Sequence, residues 1–185
     1  HVIGLSYRQF LDTHTDWNNI RDNSEVILMF GGLPLKNSQV NSGGVGKHTT
    51  KEYLLSCKKK GIQFINISPM EMEADIITNS DWIQIRPGTD TALMLAIAFI
   101  LETESLADKA FLNKYCTGYE IFVKYLKGTS DGKAKTPYWA SKITGIPSNK
   151  IYDLAKKIVN NRTMITGAWA LQRQQYGEQP HWMIS

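Results

Sequence analysis

With 185 residues, 42% of them hydrophobic and 10% aromatic, the chain has the apolar material for a buried core, which argues against disordered and fibrous classes. The formal charge is +4, yet the basic residues are scattered, with runs only at Lys58-Lys59-Lys60 and around Lys133 and Lys135. That distribution lacks the basic stripe with interleaved aromatics of a nucleic-acid surface and fits a mildly basic protein holding an anionic cofactor. Cys57 and Cys116 have no partner at metal or redox spacing, and both lie in apolar helical patterns that assign them to the core; the four His form no ligand cluster. The sequence opens at His1 and stops at Ser185 just as an apolar helix begins, so it reads as part of a larger protein, and missing targeting signals carry no weight.

Residues 1–25 read as a connecting segment: an apolar start, a helix through Tyr7, Phe10, Leu11 and His14, then Trp17 and a polar turn at Asn18, Asn19, Asp22 and Asn23. Residues 26–30, VILMF, form an unbroken apolar run, as expected of a strand buried on both faces of a parallel sheet. Gly31-Gly32 ends it and permits a sharp turn, and Pro34, Lys36, Ser38 and Gln39 follow. A cation and hydrogen-bonding groups at a strand's carboxyl end suit a phosphate, and they also suit ordinary loop decoration. The stretch NSGGVGKHTT at 41–50 is not a P-loop, because Asn41 replaces the first glycine and His48 the metal-binding hydroxyl.

Thr49 and Glu52 have capping-box spacing for a helix through Tyr53, Leu54, Leu55 and Cys57, with the lysine run at its C-terminal end and Gly61 stopping it. Residues 62–67 are the second strand, ended by Ser68-Pro69, and residues 82–86 the third, followed by Pro87-Gly88-Thr89-Asp90. The ten apolar residues 92–101 are too short to span a bilayer and predict a buried helix. Thr89 and Asp90 at its start suit N-capping, while an Asp there can also accept paired N–H groups from a guanine edge.

Short helices are expected over 106–116, 119–126 and 138–143, with a loop over 128–137. Ser148 is expected to cap a further helix, whose Ile151, Leu154, Ala155, Ile158 and Val159 make a packing stripe, with Asn160-Asn161 closing it. Residues 163–166 are the last strand. Gly167, Ala168 and Trp169 follow, then a dense polar set: Gln172, Arg173, Gln174, Gln175, Tyr176, Gly177, Glu178 and Gln179. Such a set beyond a strand can face a ligand, since ligands of open α/β sheets sit outside the strands' carboxyl ends; it can equally be an ordinary solvated helix. The layout is α/β with a mostly parallel sheet.

The segments NSEVILMFGGLPLKNSQ, IRPGTDTALMLAIAFIL, LADKAFLNKYCTGYEIFVKYLKGTSDGKAKTPYWA and GAWALQRQQYGEQPHWM resemble the molybdopterin oxidoreductase family of dimethyl sulfoxide, trimethylamine N-oxide and biotin sulfoxide reductases. They agree in order and spacing over nearly all of residues 25–184, and the QRQQYGEQPHWM ending is most similar to biotin sulfoxide reductases. The resemblance implies a Rossmann-like sheet flanked by helices over 26–185, a cofactor-binding domain of a larger multidomain enzyme. It implies bis-molybdopterin guanine dinucleotide with molybdenum as cofactor. Gly32, Pro34, Lys36, Ser38 and Gln39 then fall on the loop meeting the dinucleotide. Ser68 and Pro69 stand where the family usually has Asp-Pro at the ribose, a departure that weakens the implied contact. Arg86, Gly88, Thr89 and Asp90 match the guanine-binding turn. Gly167, Trp169, Gln172 and Arg173 match the strand end near the pterin and the substrate funnel, with Trp169 and Arg173 nearest the chemistry.

No residue here is assigned to the metal, because the family's ligating serine lies upstream of the matched region. The implied partners are an S-oxide or N-oxide substrate, an electron-donor protein or reduced nucleotide, and the remaining domains of the parent; neither nucleic acid nor a membrane span is expected. A non-catalytic nucleotide-binding module on the same scaffold is the alternative.

Overall fold

The computed structural model describes residues 4–38, 46–74 and 76–185, which fall into two compact units. One is a sheet unit drawn from residues 1–84 and 161–185; the other is a helical unit of residues 85–160.

In the sheet unit, α1 (Tyr7–Asp12) starts at a capping box between Ser6 and Gln9. The segment read as a polar turn is instead helix α2 (Trp17–Asn23). The Asp16 side chain accepts from Asn19 N at 2.9 Å, and the Asn23 side-chain amide donates to Asn19 O at 3.1 Å. These polar residues stay at the surface while Ile20 is buried. Strand β1 (Val26–Phe30) is buried along its whole length, as its uninterrupted apolar run requires. Helix α3 (Thr50–Lys59) buries Leu54 and Cys57 against Ile27, Met29 and Phe64. The capping box expected at its start is absent: Thr49 has φ −95° and ψ −12°, not the extended backbone that turns a cap side chain onto the helix N–H groups. At the other end Lys60 pairs with Asp22 at 3.0 Å, and Gly61 (φ 89°) leaves the helix in the left-handed region.

Strands β2 (Gln63–Ser68), β3 (Asp81–Gln84) and β4 (Thr163–Gly167) complete a parallel sheet of order β3-β2-β1-β4. Phe30, the last residue of β1, sits in register with Ile67 on one side and Gly167 on the other. β3 is shorter than its apolar pattern, because the N–H of Arg86 bonds to Thr144 O at 2.9 Å instead of to a strand.

The helical unit is centred on α4 (Asp90–Thr103), apolar nearly all round and buried at Leu93, Ala96 and Ile100. Asp108 caps α5 (Lys109–Tyr115), whose C-terminal neighbour Cys116 is exposed and not the core residue that its helical pattern suggested. Glu102 of α4 accepts from the Tyr119 hydroxyl of α6 (Tyr119–Leu126) at 2.7 Å, and pairs with Lys109 and with Lys127 at 3.3 Å. Lys135, 2% exposed, ties the following loop down: its ammonium reaches Asp131 at 2.7 Å and lies 4.1 Å from the centre of the Tyr125 ring.

Thr136 caps α7 (Pro137–Thr144), which ends at Gly145 (φ 81°). In α8 (Ser148–Val159) the cap position is Pro147 and Ser148 is already helical, so the expected serine cap is not formed. Ile151, Leu154 and Ala155 are buried as the stripe predicts. Back in the sheet unit, β4 leads into α9 (Glu178–Ile184).

Candidate cofactor-binding site

The strand order locates the crevice in the sheet unit. From β1 the chain builds outward to β2 and β3, then returns to the other side of β1 as β4. The carboxyl ends of β1 and β4 therefore form the topological switch point, where such sheets hold ligands. Backbone bonds fix it: Ala168 N donates to Phe30 O and Gly31 N to Ile67 O, both at 2.8 Å. Gly31 (φ 78°) and Gly32 (φ 79°) then turn through the left-handed region. A Cβ on Gly32 would stand 2.1 Å from Glu73 O, so this position admits no side chain. Beyond it Pro34 is buried, Lys36 and Asn37 are exposed, and the Ser38 hydroxyl donates to Leu35 O at 2.8 Å. Gln39 lies outside the described residues, as does most of the glycine-rich stretch before Gly46.

At the carboxyl end of β2 the Ser68 hydroxyl is buried and donates to Met70 O at 2.7 Å, while Ser68 O accepts from Trp82 Nε1 at 3.1 Å. The hydroxyl faces inward, and exposed Pro69 and the backbone form the outer surface. Asn66, fully buried in the same strand, donates through Nδ2 to Glu71 O at 3.1 Å; its Oδ1 has no partner among the described residues. With Leu33 N donating to Glu73 O at 2.8 Å, these bonds pin residues 70–74 over Gly32. Met70, Met72, Ala74 and Ile76, with the polar Glu71, Asn79 and Ser80, line an open cavity of about 820 Å³. Sequence reasoning missed Asn66, although an Asn inside the apolar run FINIS was the available signal.

The end of β4 is close-packed behind and open in front. A Cβ on Gly167 would meet Ile184 Cδ1 of α9 at 2.6 Å. The polar set is not a continuation of a helix: Trp169–Gln172 is a single 3-10 turn, and α9 starts only at Glu178. Leu171 anchors the turn in the core, leaving Trp169 70% exposed and Gln172 and Arg173 at the surface. The Arg173 side chain has no hydrogen bond or ion pair among the described residues, so its guanidinium is available. The winding beyond is tight. Gln174 Nε2 donates to Leu171 O at 3.0 Å, Tyr176 takes φ 60°, and a Cβ on Gly177 would sit 2.4 Å from Gln172 O.

The helical unit carries the remaining candidates. Exposed Gly88 has φ 75°. The Thr89 hydroxyl donates back to Arg86 O at 2.7 Å rather than capping α4. Asp90, the first residue of α4, is 4% exposed, and burial pushes its carboxyl pKa up. No cation pairs with it among the described residues. The Arg86 guanidinium is turned onto the end of α7, donating from Nη1 to Lys142 O at 2.7 Å and Ile143 O at 3.2 Å.

The sheet unit thus carries a glycine-shaped switch point of the kind at which α/β sheets hold ligands, and the helical unit separately carries the buried Asp90 carboxylate, without a cation among the described residues. The chain matches molybdopterin oxidoreductase over residues 9–185 and belongs to that family. It is 40% identical over 174 residues to a trimethylamine-N-oxide reductase of Vibrio cholerae, which covers 91% of this chain and 21% of that protein. It is 35% identical over 184 residues to a dimethyl sulfoxide/trimethylamine N-oxide reductase of Cereibacter sphaeroides, covering 100% of this chain and 22% of that protein. A biotin sulfoxide reductase of the same organism is 36% identical over 165 residues, with coverages of 89% and 22%. The chain thus spans about a fifth of the length of these relatives, and identity does not separate the S-oxide from the N-oxide reductases.

Membership implies a molybdopterin cofactor with molybdenum. Among the described residues no group of three or more His, Cys, Asp and Glu is arranged to hold a metal ion, and no helix is long and apolar enough to cross a membrane.

Proposed function

We propose that the protein carrying this chain is a molybdenum-dependent reductase of S-oxides or N-oxides, and that this chain holds the dinucleotide of a bis-molybdopterin guanine dinucleotide. The observation that carries the reading is the carboxylate of Asp90, buried at 4% exposure without a cation among the described residues. Such a group is costly unless donors reach it. The N1–H and exocyclic amino group of guanine are adjacent donors that a carboxylate accepts as a pair, and the free positive end of α4 favours the negative charge there.

The sheet unit supplies complementary chemistry. Gly32 and Pro34 shape the β1 loop, and Lys36 and Ser38, with Gln39 next in sequence, offer charge and hydrogen bonding to the pyrophosphate. Ser68 and Pro69 contribute backbone rather than a hydroxyl to the ribose side. Gly167, Trp169, Gln172 and Arg173 serve the pterin edge and the substrate. When bound, the molybdenum and its dithiolenes supply the oxygen-atom and two-electron chemistry. The chain's part is to bind, to orient and to exclude water. Trp169 covers the crevice, and the guanidinium of Arg173, unpaired among the described residues, orients the partly negative oxide oxygen or holds the pterin's polar edge. Electrons come from a donor protein or a reduced nucleotide.

The test is to purify the full-length protein and measure molybdenum, guanine and oxide-dependent oxidation of an artificial donor. All three are expected. Guanine without molybdenum or turnover would establish a non-catalytic nucleotide-binding module instead.

A further inference from the structure

We infer that Arg86 is the positioning residue of the turn that presents Asp90, acting through the end of α7 and not through contact with the ligand. The inference rests on the reading of Asp90 as the acceptor of guanine's donors. Arg86 is the hub of three links. Its N–H donates to Thr144 O at 2.9 Å, its guanidinium donates to Lys142 O and Ile143 O at 2.7 and 3.2 Å, and its carbonyl accepts from the Thr89 hydroxyl at 2.7 Å. The last carbonyls of a helix lack intrahelical partners and carry its negative end, so a planar cationic fork satisfies both needs where a single ammonium cannot.

The far side of this clasp is itself fixed. Thr144 is 1% exposed, its hydroxyl donates to Ala140 O at 2.9 Å, and the same oxygen accepts from Ile146 N at 3.1 Å. Gly145 has φ 81°, and a Cβ there would stand 3.4 Å from Arg86 Nε. Only Pro87, Gly88 and Thr89 separate Arg86 from Asp90, and the Thr89 hydroxyl closes that short span. The backbone of Asp90 is thus held from two sides, by α4 and by Arg86. Without the Arg86 anchor, the left-handed Gly88 is free to reorient the turn.

The experiment uses cofactor-free full-length protein and measures the affinities of GMP and IMP, which differ only by guanine's exocyclic amino group. Wild type should prefer GMP, and Asp90→Asn should abolish the preference. Arg86→Ala should cut the preference roughly tenfold although Arg86 touches no base, and Arg86→Lys, which keeps one bond to α7, should recover part of it. If Asp90→Asn retains the preference, the guanine reading itself fails, whatever Arg86 does.

If Asp90→Asn abolishes the preference while Arg86→Ala keeps it, the positioning role is overturned. Equal weakening of GMP and IMP by Arg86→Ala, with the preference intact, overturns it too and makes Arg86 a direct phosphate contact. Should Arg86→Ala fail to fold, Thr89→Val removes the hydroxyl link without touching α7, and Gly145→Ala, at φ 81°, strains the end of α7 that Arg86 clasps. Reduced preference in both supports the role, and wild-type preference in both rejects it.

Discussion

The two units shape their candidate binding surfaces with different materials. In the sheet unit, acidic and basic residues balance, and the carboxyl ends are shaped by the absence of side chains at Gly31, Gly32 and Gly167. In the helical unit, which carries the whole net charge of +4, the turn before Asp90 is held by the Arg86 guanidinium bonded to the end of α7 and by the Thr89 hydroxyl. The first arrangement is expected to be most sensitive to added volume, and the turn before Asp90 to the loss of a donor or acceptor.

The sharpest break of this contrast is Gly32→Ala. Its Cβ would lie 2.1 Å from a backbone oxygen at φ 79°, so the full-length protein should lose about 3 kcal/mol in a urea unfolding series. Gly31→Ala shares the backbone strain at φ 78° but meets Ala168 Cβ at 3.0 Å, and should lose less. Equal losses would mean that backbone conformation, and not the close approach, sets the requirement.

Asp90→Asn tests the other unit. Loss of a charge-assisted pair should weaken cofactor binding by about 1.5–3 kcal/mol. Because burial raises the folded-state pKa of Asp90, the folded protein holds that proton more tightly than the unfolded one, and stability falls as pH rises through the carboxylate range. Cofactor-free Asp90→Asn should therefore be the more stable form at neutral pH, with the gap closing on acidification. Thermal melts across that range check the sign, and a constant gap would contradict it.

The contrast also explains what was legible in the sequence. VILMF and FINIS specify their strands directly, since an unbroken apolar run has few other places to go, and the glycines and the GTD turn stand out as local signals. Helix α2 was hidden because its cap and its Asn19–Asn23 bond use the residue types that also make turns. The caps expected at Thr49 and Ser148 failed because spacing does not set backbone dihedrals. The inward turn of the Ser68 hydroxyl depends on local loop geometry, and the Arg86 clasp depends on partners more than fifty residues away, so neither is written in a local pattern.

A smaller effect is expected at Arg173. Lysine keeps the charge but not the planar fork, so in the full-length enzyme kcat/KM for the oxide should drop about tenfold, about 1.4 kcal/mol, with near-normal molybdenum. Loss of molybdenum together with turnover would assign Arg173 to the pterin.

The smallest concerns Glu102, whose carboxyl is lowered from 4.5 to about 2, first by its hydrogen bond from Lys109 and then by Tyr119 and Lys127. Its stabilisation is present above the unfolded value and is lost as pH falls from about 4.5 toward about 2. The lysines of the cluster are solvent-exposed, so Glu102→Gln should cost about 1 kcal/mol or less at neutral pH and should flatten the acid limb of the melting curve. An unchanged acid limb would remove Glu102 from that account.

The central claim, that this chain holds a guanine dinucleotide, is tested most directly by guanine and molybdenum analysis of acid-hydrolysed full-length protein, wild type beside Asp90→Asn. Wild type should release guanine together with molybdenum, and the variant should be depleted in both while remaining folded. Molybdenum recovered without guanine from wild type, or undiminished guanine in Asp90→Asn, would contradict the claim.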